Sequence, residues 1–219
     1  MNSITILKLT MWNSKRRIKK MYGKQFFQSF YNDSLSLIRE IKPNVPDIGK
    51  SLFRFNYEFG ICYVVWFKVL KKNNFNNEDI IKEIWELTSD FLHIIPQPIM
   101  KIGAQFYLRN WRNGAKRMVE KTNTEIINKY DYKIEFNIID DNTFETIFTE
   151  CAMKNLFQQF NTEELMPGVC RIDYLLANYM NIGFERTKTL GDGDEYCNCR
   201  HSFKGTCEWS PEKGFENRK

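Results

Sequence analysis

The hydrophobic pattern of this chain changes its period near Asp131, and that change constrains the possible folds more than any other feature. Upstream, apolar residues recur at helical spacing, whereas the following segment, YKIEFNIIDDNTFETIFTECA, alternates apolar and polar residues. Alternation of this kind predicts two strands joined at the polar turn of residues 140–142. The chain therefore combines a helical half with a half that contains a sheet.

Helical spacing returns after these strands, and the chain then ends in a second pair of predicted strands. The two helices are expected at residues 153–160 and 170–180, and the strands at about residues 183–190 and 195–203. This order predicts an α+β fold in which an N-terminal helical bundle packs with an antiparallel four-stranded sheet, with two helices between the strand pairs.

Four helices are predicted in the N-terminal half. They fall at residues 24–41, 52–72, 79–95 and 99–120, and prolines follow the first and third of them. We divide the chain into a helical region, residues 1–123, and an α+β region, residues 124–219, which carries the site. At 219 residues the two are expected to form one compact unit.

Composition excludes several classes of function. The net charge of +5, from 32 basic and 27 acidic residues, is too small to indicate a nucleic-acid partner. The first apolar stretch precedes the basic run, the reverse of a secretory signal, and no run of about 18 apolar residues occurs. We expect a cytoplasmic protein with a small-molecule substrate, no membrane or nucleic-acid partner and no cofactor, and oligomerisation stays open.

The six cysteines are expected to be reduced thiols, because the cytosol disfavours disulfides. Cys62 lies in the apolar run ICYVVWF and is interpreted as a small buried hydrophobic residue. Cys151 falls where a predicted strand passes into a helix. There the N–H groups of the first turn favour a thiolate, so Cys151 is a candidate nucleophile, and an inert buried thiol is the alternative.

Cys170 and Asp173 are three residues apart on a predicted helix, so their side chains leave the same face. A carboxylate that points inward beside thiols needs a charged partner, because an unpaired buried charge is strongly destabilising. The alternative is an exposed Asp173 on a solvated face.

The last two strands flank an Asp-Gly pair, which predicts a tight hairpin with Asp192 and Gly193 at its tip. That register pairs Arg186 with Cys199 and Lys188 with Cys197. Arg186 then shares a face of the sheet with the cysteines, and its guanidinium is suited to binding a substrate carboxylate in two-point fashion.

The spacing of the C-terminal cysteines also allows a metal site. Its ligands would be Cys197, Cys199, His201 and Cys207. Alternate residues of a strand stand about 6.6 Å apart, which suits a compact tetrahedral site poorly, so metal is the weaker alternative. His201 is an alternative general base.

The C-terminal part, about residues 131–203, resembles the L-2-amino-thiazoline-4-carboxylic acid hydrolase family. The resemblance rests on Cys151 after a strand and on the segments VCRIDY, FERTKTL and GDEYC. It implies a hydrolase that acts on a C–N bond other than a peptide bond, in a small cyclic amidine, thiazoline or amide that carries a carboxylate. By position it implies Cys151 and Asp173 as catalytic residues, and Arg186, Cys170, Thr189 and Cys197 as substrate-binding residues.

In the mechanism that follows from this resemblance, a Cys151 thiolate attacks the electrophilic carbon, Asp173 passes protons to the departing nitrogen and Arg186 holds the carboxylate. Two alternatives stay open, because family membership does not fix chemistry. One is a sensor domain that binds a small molecule or metal, and the other is an enzyme that uses the thiol for acyl transfer.

Overall fold

A computed structural model describes residues 1–122 and 128–207 of the chain. The helices and strands in this part are α1 Ser3–Tyr22, α2 Lys24–Ile41, α3 Arg54–Lys72, α4 Asn77–Leu92, α5 Gln97–Thr122, β1 Lys133–Ile138, β2 Thr143–Glu150, α6 Ala152–Gln159, α7 Met166–Met180, β3 Gly183–Glu185 and β4 Cys197–Ser202. The predicted α+β fold is confirmed, and the four helices predicted in the N-terminal half are found with shifts of a few residues at their ends.

Helix α3 lies at the centre of the helical half. Apolar residues surround almost its whole circumference, and a helix of this kind must be covered on all sides. Helices α1, α2, α4 and α6 pack against it. Cys62 is fully buried in this helix, and its thiol donates to the Ser3 carbonyl at 3.2 Å, so the interpretation as a buried hydrophobic residue is confirmed.

Helix α1 is not predicted by the hydrophobic pattern of the sequence. Its buried face includes Ser3, Thr10 and Ser14 between apolar residues, and these polar positions interrupt the stripe that identifies an amphipathic helix. The helix begins at the N-cap Asn2, whose side chain accepts a hydrogen bond from the Thr5 N–H.

The four strands form one antiparallel sheet in the order β1-β2-β4-β3. On the central strands, three cross-strand pairs are mostly turned inward: Phe144 with His201, Thr146 with Cys199 and Phe148 with Cys197. Helix α5 covers this face, where the Trp111 indole N–H donates to Thr146 Oγ1 at 3.1 Å. The inner face of the sheet therefore forms one wall of a space between strands and helices.

Candidate functional site

A cavity of about 90 Å³ lies between the inner face of the sheet and the helices, and we call it the site cavity. Seven of the residues singled out from the sequence line it: Cys151, Cys170, Asp173, Arg186, Cys197, Cys199 and His201. They come from the start of α6, one face of α7 and the two sides of the last hairpin. The fold thus brings together side chains that lie up to 50 positions apart in the chain.

Cys151 is the N-cap residue of α6, as the sequence predicts, and its backbone is extended. Burial raises the pKa of its thiol to about 12, and the nearby Cys170 and Cys197 act in the same direction. The backbone N–H groups of Met153 and Lys154 oppose this increase but do not overcome it. The prediction of a lowered pKa at Cys151 is therefore wrong, because desolvation outweighs the stabilisation by the helix start.

Asp173 and Arg186 form an ion pair at the centre of the site. The Arg186 Nη1 donates to Asp173 Oδ2 at 2.8 Å, and Nη2 donates to the carbonyl oxygen of Cys170 at 2.5 Å. Burial raises the pKa of Asp173, and the Arg186 charge counteracts this. Asp173 is half-buried and does not belong to a solvated face. The charged partner expected from the sequence for an inward-pointing carboxylate is Arg186.

The Arg186 side chain is almost completely buried, and two aromatic rings hold it in place in addition to its ion pair. Its guanidinium carbon lies 5.5 Å from the centre of the Tyr174 ring and 5.7 Å from that of Phe184. Its Nε–H has no hydrogen-bond partner among the residues that the structure describes. These contacts hold the positive charge of Arg186 at the wall of the site cavity.

The strands of the last hairpin pair in the predicted register. They are shorter than predicted, however, and a different turn connects them. Phe184 pairs with His201 and Glu185 with Arg200, the register that places Arg186 opposite Cys199. Strand β3, however, ends at Glu185, and a 3₁₀ turn at Leu190–Asp192 replaces the two-residue hairpin. The expectation of a tight turn at Asp192 and Gly193 is therefore wrong, because Thr189 caps this turn through its side chain.

This turn holds Cys197 from the opposite side of the hairpin. The Leu190 N–H donates to Cys197 Sγ at 3.2 Å, and Thr189 Oγ1 lies 3.4 Å from the same sulfur. Thr189 is fully buried behind Cys197 and, unlike the other predicted substrate-binding residues, is not among the residues that line the site cavity. Gly191 packs so closely that a Cβ atom there would lie 2.6 Å from Cys170 Sγ, so only glycine fits without displacement.

An ion pair that the sequence pattern does not predict fixes this turn. Arg171 and Asp192 form two hydrogen bonds, at 3.0 and 3.2 Å, and Arg171 also donates to the Pro167 carbonyl at 2.6 Å. The Arg171 side chain is only 2% exposed. Its place within VCRIDY, between Cys170 and Asp173, is the sequence signal that could have indicated it.

His201 lies in the inner wall of the cavity among aromatic rings. Its ring centre is 4.6 Å from that of Trp111, 5.0 Å from Phe184 and 5.4 Å from Phe144. Burial lowers the pKa of His201 to about 3, so its imidazole is neutral near pH 7. Its Nδ1 is buried and has no hydrogen-bond partner in the described part of the chain.

The proposed metal ligands do not form one cluster. Cys207 donates to the Tyr174 carbonyl on α7, whereas Cys197, Cys199 and His201 follow one strand. Within residues 1–122 and 128–207, no three His, Cys, Asp or Glu side chains are placed to hold one ion. The alternative of a metal site at Cys197, Cys199, His201 and Cys207 is therefore not supported.

The fold and the site define a class: an α+β protein whose antiparallel sheet and helices enclose several thiols beside an Asp–Arg pair. The model of the L-2-amino-thiazoline-4-carboxylic acid hydrolase family matches residues 55–201, more than half of the chain, and the chain belongs to this family. The match confirms the resemblance seen in the sequence and extends it towards the N-terminus across α3, α4 and α5. No curated protein and no solved structure gave a significant match.

Among the helices that the structure describes, none combines the length and the apolar character required to cross a bilayer.

Proposed function

We propose that this protein is a hydrolase that opens a C–N bond of a small cyclic amidine, thiazoline or amide bearing a carboxylate, with Cys151 as the nucleophile. The observation that carries the proposal is that Cys151, Asp173 and Arg186 line a single cavity. Membership of a hydrolase family supports the reaction class.

The raised pKa of Cys151 determines how the first step proceeds. With a pKa of about 12 the free site holds a thiol, so the proton must leave as the sulfur attacks. Asp173 accepts this proton directly or through water, and its own raised pKa makes it a stronger base than an ordinary carboxylate. The S–C bond forms, and the π electrons of the attacked C=N or C=O bond move to its nitrogen or oxygen.

The second half of the reaction returns the site to its starting state. The C–N bond breaks, its electron pair goes to the leaving nitrogen, and the carbon regains a double bond to its remaining oxygen or exocyclic nitrogen. Asp173 gives the leaving nitrogen the proton taken from Cys151, and in a 2-amino-thiazoline the exocyclic amino group supplies the second proton. Water then attacks the carbon of the thioester-like adduct, and the Cys151 thiol is released with its proton. Arg186 binds the substrate carboxylate next to this centre, since its guanidinium is held in place by Asp173 and Cys170.

The decisive experiment incubates the protein with 2-amino-thiazoline-4-carboxylic acid and follows the product by mass spectrometry. We expect the gain of one water and the appearance of a free amine, which marks cleavage of a C–N bond. Cys151→Ala is expected to lower kcat/KM at least about a thousandfold, because a missing nucleophile removes the covalent route. The control Cys62→Ala removes a fully buried thiol from α3 and should leave turnover in place.

Four outcomes would overturn the proposal or one of its parts. Full activity of Cys151→Ala would reject this nucleophile, and a trapped adduct on another cysteine would transfer the role to that residue. A free thiol in place of a free amine would show that the C–S bond is cleaved. Binding of the compound with no product from the folded wild-type protein would favour a sensor.

A further inference from the structure

A second and larger cavity adjoins the site cavity. Its volume is about 320 Å³, compared with about 90 Å³ for the site cavity. The two cavities share the lining residues Asn56, Met153, Val169 and Asp173. The larger space therefore begins at the carboxylate that we place in the reaction, and we call it the apolar cavity.

The walls of this cavity are apolar almost throughout. Phe59 and Phe91 meet edge to face with ring centres 4.8 Å apart, and Leu176 and Met180 of α7 lie on the wall as well. Among the described residues that line the cavity, Asp173 is the single charged one, and its carboxylate is bonded to Arg186.

The buried polar groups of the wall are already satisfied by one another. Thr88 donates to the Ile84 carbonyl at 2.8 Å, and its hydroxyl lies 3.2 Å from the Tyr63 hydroxyl. Besides these two, Asn56 and Tyr107 are the uncharged polar side chains in the described lining. A polar occupant would therefore lose its water and gain few partners, which is unfavourable, whereas an apolar occupant exchanges water for hydrocarbon contacts.

The cavity is too large to be a packing defect and it opens to solvent. Protein interiors leave few voids larger than a water molecule, and ligand pockets begin at roughly 300 Å³. Two of the lining side chains, Phe55 and Ile95, are each 45% exposed and form an apolar rim. A substrate longer than the site cavity can therefore extend past Asp173 towards this opening.

We infer that the natural substrate carries an apolar arm, an alkyl chain or aryl group, which occupies the apolar cavity while its carboxylate and reactive carbon occupy the site cavity. The inference rests on the proposed function for the reactive end of the substrate. Met153 lies where the two cavities meet, and its flexible thioether adapts to the shape of the arm. The substrate class is thus an amphiphilic carboxylate, larger than 2-amino-thiazoline-4-carboxylic acid itself.

The test uses 2-methylthiazole-4-carboxylate and 2-heptylthiazole-4-carboxylate, aromatic probes that resist ring opening. Their affinities for the full chain are measured by calorimetry, independently of turnover. Each fully buried methylene strengthens binding about fourfold, so six additional ones should lower the dissociation constant at least about a hundredfold. Equal affinity for both probes would overturn the inference.

Neighbouring leucines on α7 provide a matched pair of variants. Leu176 lines the apolar cavity, whereas Leu175 is also half-buried but lines neither cavity. Leu176→Phe fills the space and should reduce the heptyl-to-methyl affinity ratio at least about tenfold, and Leu175→Phe should retain the wild-type ratio. A ratio that Leu176→Phe does not change would show that the heptyl chain binds elsewhere and would reject the inference.

Two further measurements separate misfolding of a variant from loss of binding, and binding from turnover. Thermal unfolding checks each variant, and Ile172→Phe, which fills the same cavity, replaces Leu176→Phe if that protein fails to fold. Turnover of thiazoline substrates is measured separately. Chain-length dependence without turnover would reject the proposed hydrolase activity alone, and turnover without chain-length dependence would reject the apolar arm alone.

Discussion

Two opposing effects act on the sulfur of Cys151. The backbone N–H groups at the start of α6 stabilise a thiolate, whereas removal of the sulfur from water and the neighbouring thiols favour the neutral form. The second effect is larger, so the pKa rises to about 12. Burial likewise raises the pKa of Cys170, to about 11. In the free protein Cys151 and Cys170 are therefore neutral thiols beside the ion pair of Asp173 and Arg186.

We predict that iodoacetamide labels Cys151 with a rate that rises tenfold per pH unit from pH 8 to pH 10, because only the thiolate reacts. In the protein unfolded by urea, the same cysteine has a pKa near 9.0, and its labelling rate should level off above that pH. Peptide mapping by mass spectrometry gives both rates, and Cys151→Ser confirms the assignment. A rate that also levels off near pH 9 in the folded protein would show steric shielding of an ordinary thiol.

The same shift has a consequence for stability. Because the folded pKa of Cys151 lies above the unfolded value, its contribution is fully present below about pH 9 and is lost as the pH rises towards 12. The raised pKa of Cys170 acts in the same window, so both thiols weaken the folded state under alkaline conditions.

The residues of the site were easier to predict from the sequence than the surroundings of those residues. Strand alternation and the register of the last hairpin depend on neighbouring residues, so the approach of Arg186 to the cysteines was predictable. The burial of the Cys151 sulfur could not be predicted in this way. The residues around it come from remote segments of the chain, among them Phe53, Trp111 and Tyr132. Desolvation is a property of tertiary packing, and local spacing carries little information about it.

At the scale of elements, the turn between β3 and β4 shapes the site. Residues 189–194 fold back on themselves, with the Thr189 N–H donating to Asp194 Oδ2 at 2.8 Å. Arg171 then ties the turn to α7 through Asp192. The Asp-Gly pair correctly indicated a reversal of the chain, but it could not indicate the 3₁₀ turn, which depends on the Thr189 cap and on an ion pair with a distant helix.

We predict that Arg171→Gln destabilises the protein by about 3–5 kcal/mol, because it leaves the largely buried Asp192 carboxylate without its charged partner. Arg200→Gln is the control, since Arg200 on β4 is 44% exposed and its ion pairs, at 3.5 and 3.7 Å, are long. Its loss should cost less than about 1 kcal/mol. Urea unfolding of both variants measures the difference, and similar costs would show that the turn does not depend on this pair.

At the scale of the whole molecule, helices α1 and α2 lie outside the region that matches the family, yet they form part of the hydrophobic core. The family match begins at residue 55, after α1 and α2. Yet Ile6, Leu7, Met11 and Ile18 of α1 are fully buried, and the Ser3 N–H donates to the buried Glu58 of α3 at 2.8 Å. The N-terminal helices thus complete the hydrophobic core that supports α3 and, through it, α6 and the site.

Arg17 connects α1 to α4, and its substitution tests whether α1 is part of the core that supports the site. Its guanidinium binds both carboxylate oxygens of Glu83, at 2.6 and 3.0 Å, and its Nε donates to Asp90 at 2.8 Å. Glu83 is only 3% exposed and also accepts a hydrogen bond from the Tyr22 hydroxyl. Removal of Arg17 therefore leaves a buried negative charge without its partner.

We predict that Arg17→Ala lowers the free energy of unfolding by about 3–5 kcal/mol. Its neighbour Arg16 is exposed, so Arg16→Ala removes the same charge from the same helix and should change stability by no more than about 0.5 kcal/mol. Urea unfolding followed by tryptophan fluorescence and by circular dichroism measures both variants. If α1 were a peripheral addition to the family domain, the two substitutions would have equal effects and the two signals of Arg17→Ala would separate. Coincident transitions at a lower urea concentration would instead establish that α1 unfolds together with the site-bearing core.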